Sequence, residues 1–229
     1  MFVGRSRCLA CGHTLGVFDL IPVLSFLFRR GRCRYCGEKI PAECLVAELL
    51  GAAGFVCLAL HLGPAFLPED RLDWCLLAQW GIWWAVLLVL TLTDLAKRII
   101  PDRLLLALVV NRAVWFFVLG EGWSAGLDML KAFIVPAALL ILVLAAEKLM
   151  KRELMGGGDI TLLRALALYL SWAQLLLTLV FGCLAGLLFA ALTRKKLGMA
   201  FPFGPVLAAG ALVTVCFGDG LIAWYFGLF

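Results

Sequence analysis

The 229-residue chain is 64% hydrophobic and only 15% charged, with a mean hydropathy of +1.04. Soluble domains are roughly half apolar, so this composition excludes a water-soluble globular protein. The formal net charge is +5. The basic residues lie between apolar runs, where membrane topology and anionic headgroups account for them, so we expect no nucleic-acid partner.

Residues 1–43 contain no run approaching the ~20 apolar residues that are needed to cross ~30 Å of hydrocarbon. They hold seven basic residues and four of the nine cysteines. The chain begins without the order of basic, apolar and small residues that marks a signal peptide. We therefore predict a polar module, residues 1–43, that stays in the cytosol beside the membrane.

Two Cys-x-x-Cys pairs occupy this module: Cys8 with Cys11, and Cys33 with Cys36. A glycine follows each pair, which suits two tight knuckles that converge on one tetrahedral Zn²⁺. Two disulfides are the alternative, but a reducing compartment disfavours them. Because all four ligand positions are filled, zinc bound there would be structural.

After Pro41 the sequence becomes a series of apolar segments, which predicts an all-α polytopic membrane domain over 44–229 with seven crossings. The segments are 44–62, 74–93, 103–119, 127–147, 160–171, 174–192 and 204–217. At 1.5 Å per residue, 160–171 is short for a full crossing. We expect this segment to borrow Leu154 and Met155, to tilt little, or to be re-entrant.

The loop charges predict the orientation, because Lys and Arg are retained on the cytosolic side of a membrane. Three basic residues lie in each of 97–103, 148–152 and 194–196, besides the seven in the N-terminal module. The alternate loops carry almost none. This pattern predicts a cytosolic N-terminus and an external C-terminus.

Two carboxylates come to the same membrane face in this topology. Asp94 follows a long apolar run, and Asp159 follows Gly156, Gly157 and Gly158. Carboxylates that approach within ~3 Å share one proton, so that one activates water while the other donates to a carbonyl oxygen. The glycines would let a substrate strand come close. The pattern predicts peptide-bond hydrolysis by an aspartate pair.

Each carboxylate also has a structural interpretation. Asp159 could be an ordinary helix N-cap, and Asp102, which follows Pro101, is expected to cap the next helix rather than to act in catalysis. Asp94 ends a helix, where the macrodipole disfavours an anion. Lys97 and Arg98 could neutralise it as an interfacial ion pair.

The sequence resembles the type IV prepilin peptidases, which are bacterial inner-membrane aspartyl proteases of the GxGD class. Five matches in the family's order carry the resemblance: the four-cysteine module with Asp19 to Ser25 between its pairs, Val46 to Leu50, Asp94 to Asp102, Gly156 to Asp159, and Phe201 to Pro205. A GxGD match alone would be weak. Together the matches run through most of the chain.

The resemblance implies cleavage of the basic leader from prepilins and pseudopilins at the cytosolic membrane face, with Asp94 and Asp159 as the catalytic pair. It also implies S-adenosylmethionine-dependent methylation of the new N-terminus in bifunctional members. The expected partners are prepilins and the lipid bilayer, and the expected location is the bacterial inner membrane.

Two departures from the family pattern keep an alternative open. Members typically begin with a further hydrophobic helix ahead of the cysteine module, whereas this sequence reaches Cys8 almost at once. They also often carry lysine at the position of Thr161. Arg164, one turn further on, could supply the basic partner of the aspartate pair instead. The alternative is a noncatalytic relative that acts as a scaffold in pilus or type II secretion assembly. A protein whose main activity is methyl transfer is a third hypothesis.

Overall fold

In the computed structural model the described residues are 6–62, 70–120, 122–151, 156–193 and 203–227. The chain divides into two compact units, Met1–Ala53 and Gly54–Phe229. The division falls inside the helix Ala42–Leu62. The boundary after residue 43, between the cysteine module and the membrane domain, remains a prediction.

The described residues are helical apart from turns, a short 3-10 helix and two isolated β-bridges. The helices are α1 (Leu24–Phe28), α2 (Ala42–Leu62), α3 (Arg71–Lys97), α4 (Asp102–Val118), α5 (Trp123–Ala132), α6 (Ile134–Met150), α7 (Gly157–Leu166), α8 (Trp172–Thr193) and α9 (Phe203–Phe226). The prediction of an all-α membrane protein is confirmed.

The first unit contains two knuckles of the same local construction. In each, an isolated antiparallel bridge closes a turn that holds one cysteine pair: Arg7 bridges Thr14, and Arg32 bridges Lys39. Gly12 and Gly37 have φ of +69° and +73°, which residues with a Cβ rarely adopt. The glycine after each cysteine pair is therefore needed by the backbone turn.

Four helices of the described residues are long and apolar enough to cross a membrane. They are Cys44–Leu62, Arg71–Lys97, Trp123–Met150 and Phe203–Tyr225, of which Trp123–Met150 comprises α5 and α6. Trp172–Leu188 is a shorter apolar helix. The membrane character of the chain is thereby confirmed, whereas the count of seven crossings stays a prediction.

Three of the predicted segments differ from the helices that form. The segment predicted over 127–147 begins in α5 and continues into α6 after Phe133. Helix α7 has only ten residues. Helix α9 continues well past residue 217 and includes Asp219, which interrupts the apolar run and accepts a 2.7 Å hydrogen bond from Gln174 Nε2 on α8.

The core of the second unit forms where α3, α4, α7 and α9 meet. Fully buried side chains come from each of them, including Trp83, Leu108, Leu163 and Leu207. Helix α3 packs on α4 and α9, and α7 packs on the same two helices. The helices that carry Asp94 and Asp159 therefore share two neighbours.

A buried polar network ties α3, α4 and the turn after α7 together. Asn111 Nδ2 donates to Gln79 O at 3.2 Å and to the Tyr169 hydroxyl oxygen at 2.9 Å. The Tyr169 hydroxyl donates to Leu108 O at 2.6 Å. Polar groups in apolar surroundings are stable only when they are paired in this way. The network thus fixes where α7 lies against α3 and α4.

Some residues of the sequence analysis lie outside the described part of the chain. They are Leu154, Met155, the basic residues Arg152 and Arg194 to Lys196, and Phe201 and Pro202 of the last motif.

Candidate active site

Asp94 lies in the last turn of α3 and is 6% exposed. The helix ends at Arg98, which has φ of +54° and whose N–H donates to Asp94 O at 2.8 Å. The carboxylate oxygen Oδ2 is buried and has no hydrogen-bond partner among the described residues. A carboxylate that is buried at the negative end of a helix dipole is unfavourable for stability, which favours a functional reason for it.

The first turn of α9 lies directly against this carboxylate. Gly204 is buried, and a Cβ built on it would lie 2.7 Å from Asp94 Oδ2. The backbone N–H of Gly204 is directed at the same carboxylate. Gly204 belongs to the motif from Phe201 to Pro205 that carries the family resemblance, but no functional role was predicted for it. Its place just inside the start of an apolar helix is the sequence feature that could have indicated a close contact there.

Asp159 is the third residue of α7, and the N-cap is Gly156. The backbone N–H of Gly156 is directed at the Asp159 carboxylate, while the Asp159 N–H donates to Gly156 O at 3.0 Å. Asp159 is therefore not the N-cap that one interpretation of the sequence expected. It lies in the first turn, where the helix dipole favours an anion.

The two carboxylates interact electrostatically. Burial raises the pKa of the Asp159 carboxyl, and the negative charge of Asp94 raises this pKa further, to about 6. The hydrogen bond from Gly156 acts in the opposite direction. A like charge shifts a carboxyl pKa in this way only from nearby. The structure therefore places the charge of Asp94 close enough to act on the Asp159 carboxyl.

The glycine segment before Asp159 leaves space on one side of the site. A Cβ on Gly157 would meet nothing within 4 Å, whereas one on Gly158 would lie 3.3 Å from the Ile100 side chain. Thr161 Oγ1 donates to Gly158 O at 2.7 Å, so this hydroxyl braces the turn. Arg164 is exposed.

Asp102 is exposed and is the first residue of α4, whose N-cap is Pro101. Asp102 thus belongs to the first turn of the helix that it was expected to cap. A carboxylate there is stabilised by the helix dipole, which accounts for Asp102 without a catalytic role.

The four cysteines of the first unit form one cluster. Their Sγ atoms all lie within 4.8 Å of one another, and those of Cys8 and Cys36 are 3.9 Å apart. Tetrahedral zinc with Zn–S distances near 2.3 Å requires S–S separations of about 3.8 Å, so the cluster fits this ion. Hydrogen bonds from the Cys11 and Ala10 backbone lower the pKa of the Cys8 thiol to about 6, whereas burial and the neighbouring thiols raise the pKa of the Cys36 thiol.

A cavity of about 360 Å³ lies in the same unit, lined by Cys8 and Cys33 together with Asp19, Arg29 and other residues. The Asp19 side chain is only 6% exposed, and its Oδ1 lies 3.1 Å from Arg29 Nη2. Gly16 N–H donates to Asp19 Oδ2 at 3.1 Å. The cavity thus has a buried carboxylate and a guanidinium side by side, within the size range of small-molecule sites.

Comparison with known proteins gives matches over most of the chain. Residues 1–62 match the bacterial peptidase A24 N-terminal domain, and residues 81–191 match the type IV leader peptidase family. No solved structure matches the chain significantly.

Curated relatives match nearly the whole sequence. A protein of Aeromonas hydrophila is 35% identical over 98% of this chain and 76% of its own length. One of Bacillus subtilis strain 168 is 30% identical over 96% and 85%, and one of Legionella pneumophila is 27% identical over 99% and 77%. Each is named prepilin leader peptidase/N-methyltransferase. On this identity and coverage, the chain belongs to the type IV leader peptidase family.

Proposed function

We propose that this protein cleaves the leader peptide from prepilins and pseudopilins, with Asp94 and Asp159 as the catalytic pair. The observation that carries the proposal is the electrostatic coupling of two carboxylates from separate helices, one of them buried with an unpartnered oxygen. The relatives reported above are all named as enzymes, and nothing in the comparisons favours a noncatalytic scaffold.

The chemistry requires one protonated and one ionised carboxyl. We assign the proton to Asp159, because its pKa of about 6 lies well above that of an ordinary aspartate. The ionised carboxylate takes a proton from water as the water oxygen attacks the scissile carbonyl carbon, and the protonated carboxyl donates to the carbonyl oxygen. Collapse of the tetrahedral intermediate breaks the C–N bond, and the leaving nitrogen takes a proton from the pair.

The site would act at the cytosolic face of the bacterial inner membrane, with the N-terminus in the cytosol. The distribution of lysine and arginine between loops supports this orientation. Asp94 lies near the end of a membrane-spanning helix. A prepilin has a basic leader ahead of an apolar helix, so its cleavage site would reach the membrane at this level. The glycines at 156–158 would admit the extended strand.

In the first unit, Cys8, Cys11, Cys33 and Cys36 would hold a structural Zn²⁺. The sulfur separations and the two matching knuckles support this proposal. Zinc would fix the two knuckles relative to each other and so give shape to the cavity beside them. Metal analysis of the purified protein should find one zinc per chain, and replacing Cys33 by serine should remove it.

A second activity, methylation of the new N-terminus, is favoured by the cavity in this unit. S-adenosylmethionine carries a carboxylate and an ammonium group on one carbon, and the Arg29–Asp19 pair offers the matching charges. We expect Asp19→Asn to reduce transfer of labelled methyl groups to an already trimmed pilin while leaving cleavage intact. Asp102→Asn, at an exposed carboxylate in the first turn of α4, is the matched control and should leave both activities unchanged.

The proposed protease is tested by incubating the purified protein with a prepilin and measuring the pilin mass. The wild type should produce a mass loss equal to the leader. Asp94→Asn and Asp159→Asn should each lower the rate by at least about 10⁴-fold, because a lone carboxyl lacks either the acid or the base. Asp102→Asn, an exposed carboxylate in a helix first turn, should retain activity. Cleavage that survives in either active-site variant would refute the pair.

A further inference from the structure

Gly204 occupies a position where an added side chain would press on the Asp94 carboxylate, although its backbone conformation is one that any residue adopts. It is the second residue of α9 and does not have a positive φ. In the interior of a regular helix glycine is less favourable than alanine. The reason for glycine here is space, because an added Cβ would lie 2.7 Å from Asp94 Oδ2 and 3.3 Å from its Cγ, so that the carboxylate would have to shift.

The contact also has an electrostatic consequence. The first N–H groups of a helix have no partner within the helix, and they carry partial positive charge. The N–H of Gly204 is one of these groups, and it is directed at Asp94. Asp94 lies in the last turn of α3, where the dipole of its own helix opposes a negative charge. The start of α9 therefore supplies the favourable field that α3 does not.

Two other glycines of α9 have different surroundings. A Cβ on Gly210 would strike the Thr178 carbonyl oxygen at 2.7 Å, which is a backbone packing contact between α8 and α9. A Cβ on Gly220, near the other end of α9, would meet nothing within 4 Å. Among these three glycines of α9, Gly204 alone faces an ionisable side chain.

We propose that Gly204 is a positioning residue of the aspartate pair, whose missing side chain lets the N-terminus of α9 hold the Asp94 carboxylate in place. This inference rests on the proposed function. It adds to the site a residue that lies outside the 81–191 segment matched by the family. It also assigns to α9 a part in the chemistry, although the helix carries neither aspartate.

The first test is steady-state cleavage of a prepilin by Gly204→Ala. The methyl group displaces the carboxylate by a fraction of an ångström, and misplacement of reacting groups on this scale lowers rates by up to about 100-fold. We expect kcat to fall 10- to 100-fold while KM stays within about twofold. Gly220→Ala, which adds the same methyl group in open space, should match the wild type. A kcat for Gly204→Ala equal to that of the wild type would overturn the proposal.

The second test needs no activity and is a double-mutant cycle in thermal unfolding. Gly204→Ala should lower Tm in the wild-type background but not in Asp94→Ala, because the shorter side chain removes the clash. An equal loss of Tm in both backgrounds would contradict the contact. So would failure to fold of both proteins that carry Gly204→Ala. Folding of only the Asp94→Ala version would support it. If the wild type cleaves no prepilin but the cycle shows coupling, the proposed function fails while the contact stands.

Discussion

The position of Asp159 accounts for the raised pKa of its carboxyl. Its carboxyl is partly buried at the start of α7, and the charge of Asp94 acts on it from α3. The dipole of α7 and the Gly156 N–H oppose these effects but do not cancel them, since the pKa remains near 6. A carboxyl with such a pKa retains a proton closer to neutral pH than an ordinary aspartate does.

This environment predicts the pH dependence of cleavage. If Asp159 supplies the proton, kcat/KM should fall as the pH rises through about 6, approaching tenfold per pH unit on the alkaline limb. Initial rates at low substrate concentration between pH 5 and 9 measure this limb. A kcat/KM that is constant or rises across this range would contradict the assignment of the proton to Asp159.

The same shift has a consequence for stability. The folded-state pKa of Asp159 lies above its ordinary value of 3.8, so between about pH 4 and 6 the folded protein binds more protons than the unfolded chain. The contribution of Asp159 to the free energy of unfolding is thus fully present below pH 4. It is lost as the pH rises through 6.

Sequence reasoning selected Asp94 and Asp159 because a carboxylate at the edge of an apolar run is conspicuous. It did not select Gly204, because glycine is common in apolar helices and its role depends on which side chain faces it. That contact joins residues 110 positions apart and exists only once α3 and α9 have packed together.

At the scale of the helices, apolar runs predicted the order of the described elements well. They did not predict the break between α5 and α6 or the continuation of α9 beyond residue 217, whereas the shortness of segment 160–171 agrees with the ten residues of α7. In the last case Asp219, an exposed residue, lies within the helix and accepts a hydrogen bond from Gln174 of α8. Such pairings between helices are invisible to an average over one segment.

Helices α8 and α9 pack closely through glycine. A Cβ on Gly210 would lie 2.7 Å from Thr178 O and 3.1 Å from Gly182 N, both backbone atoms that cannot rotate away. We predict that Gly210→Ala separates the helices and lowers the free energy of unfolding by about 1–3 kcal/mol. Thermal unfolding in detergent measures this effect.

The control for this prediction is Gly126→Ala on α5. Its Cβ would meet nothing within 4 Å, so it tests the effect of adding a methyl group to a helix without a neighbour. An unchanged Tm for Gly210→Ala would show that the two helices have room to move apart at no cost.

At the scale of the whole molecule, the account depends on distant parts of the chain meeting in one place. Asp94 and Asp159 are separated by α4, α5 and α6 in sequence. The sequence predicted that both reach the same membrane face, but periodicity alone could not establish that they are neighbours. The packing of α3 and α7 on the same two helices, together with the effect of the Asp94 charge on the pKa of Asp159, supports the proposal that they are neighbours.

The most direct measurement is cross-linking of cysteines placed at the two aspartate positions. The five cysteines outside the metal cluster, Cys44, Cys57, Cys75, Cys183 and Cys216, are first replaced by alanine. Asp94→Cys with Asp159→Cys should then form a disulfide under mild oxidation, identified by mass spectrometry of the linked peptides. The control pair, Asp94→Cys with Asp128→Cys, should not. A disulfide in the control pair, or its absence in the aspartate pair, would contradict a shared catalytic site.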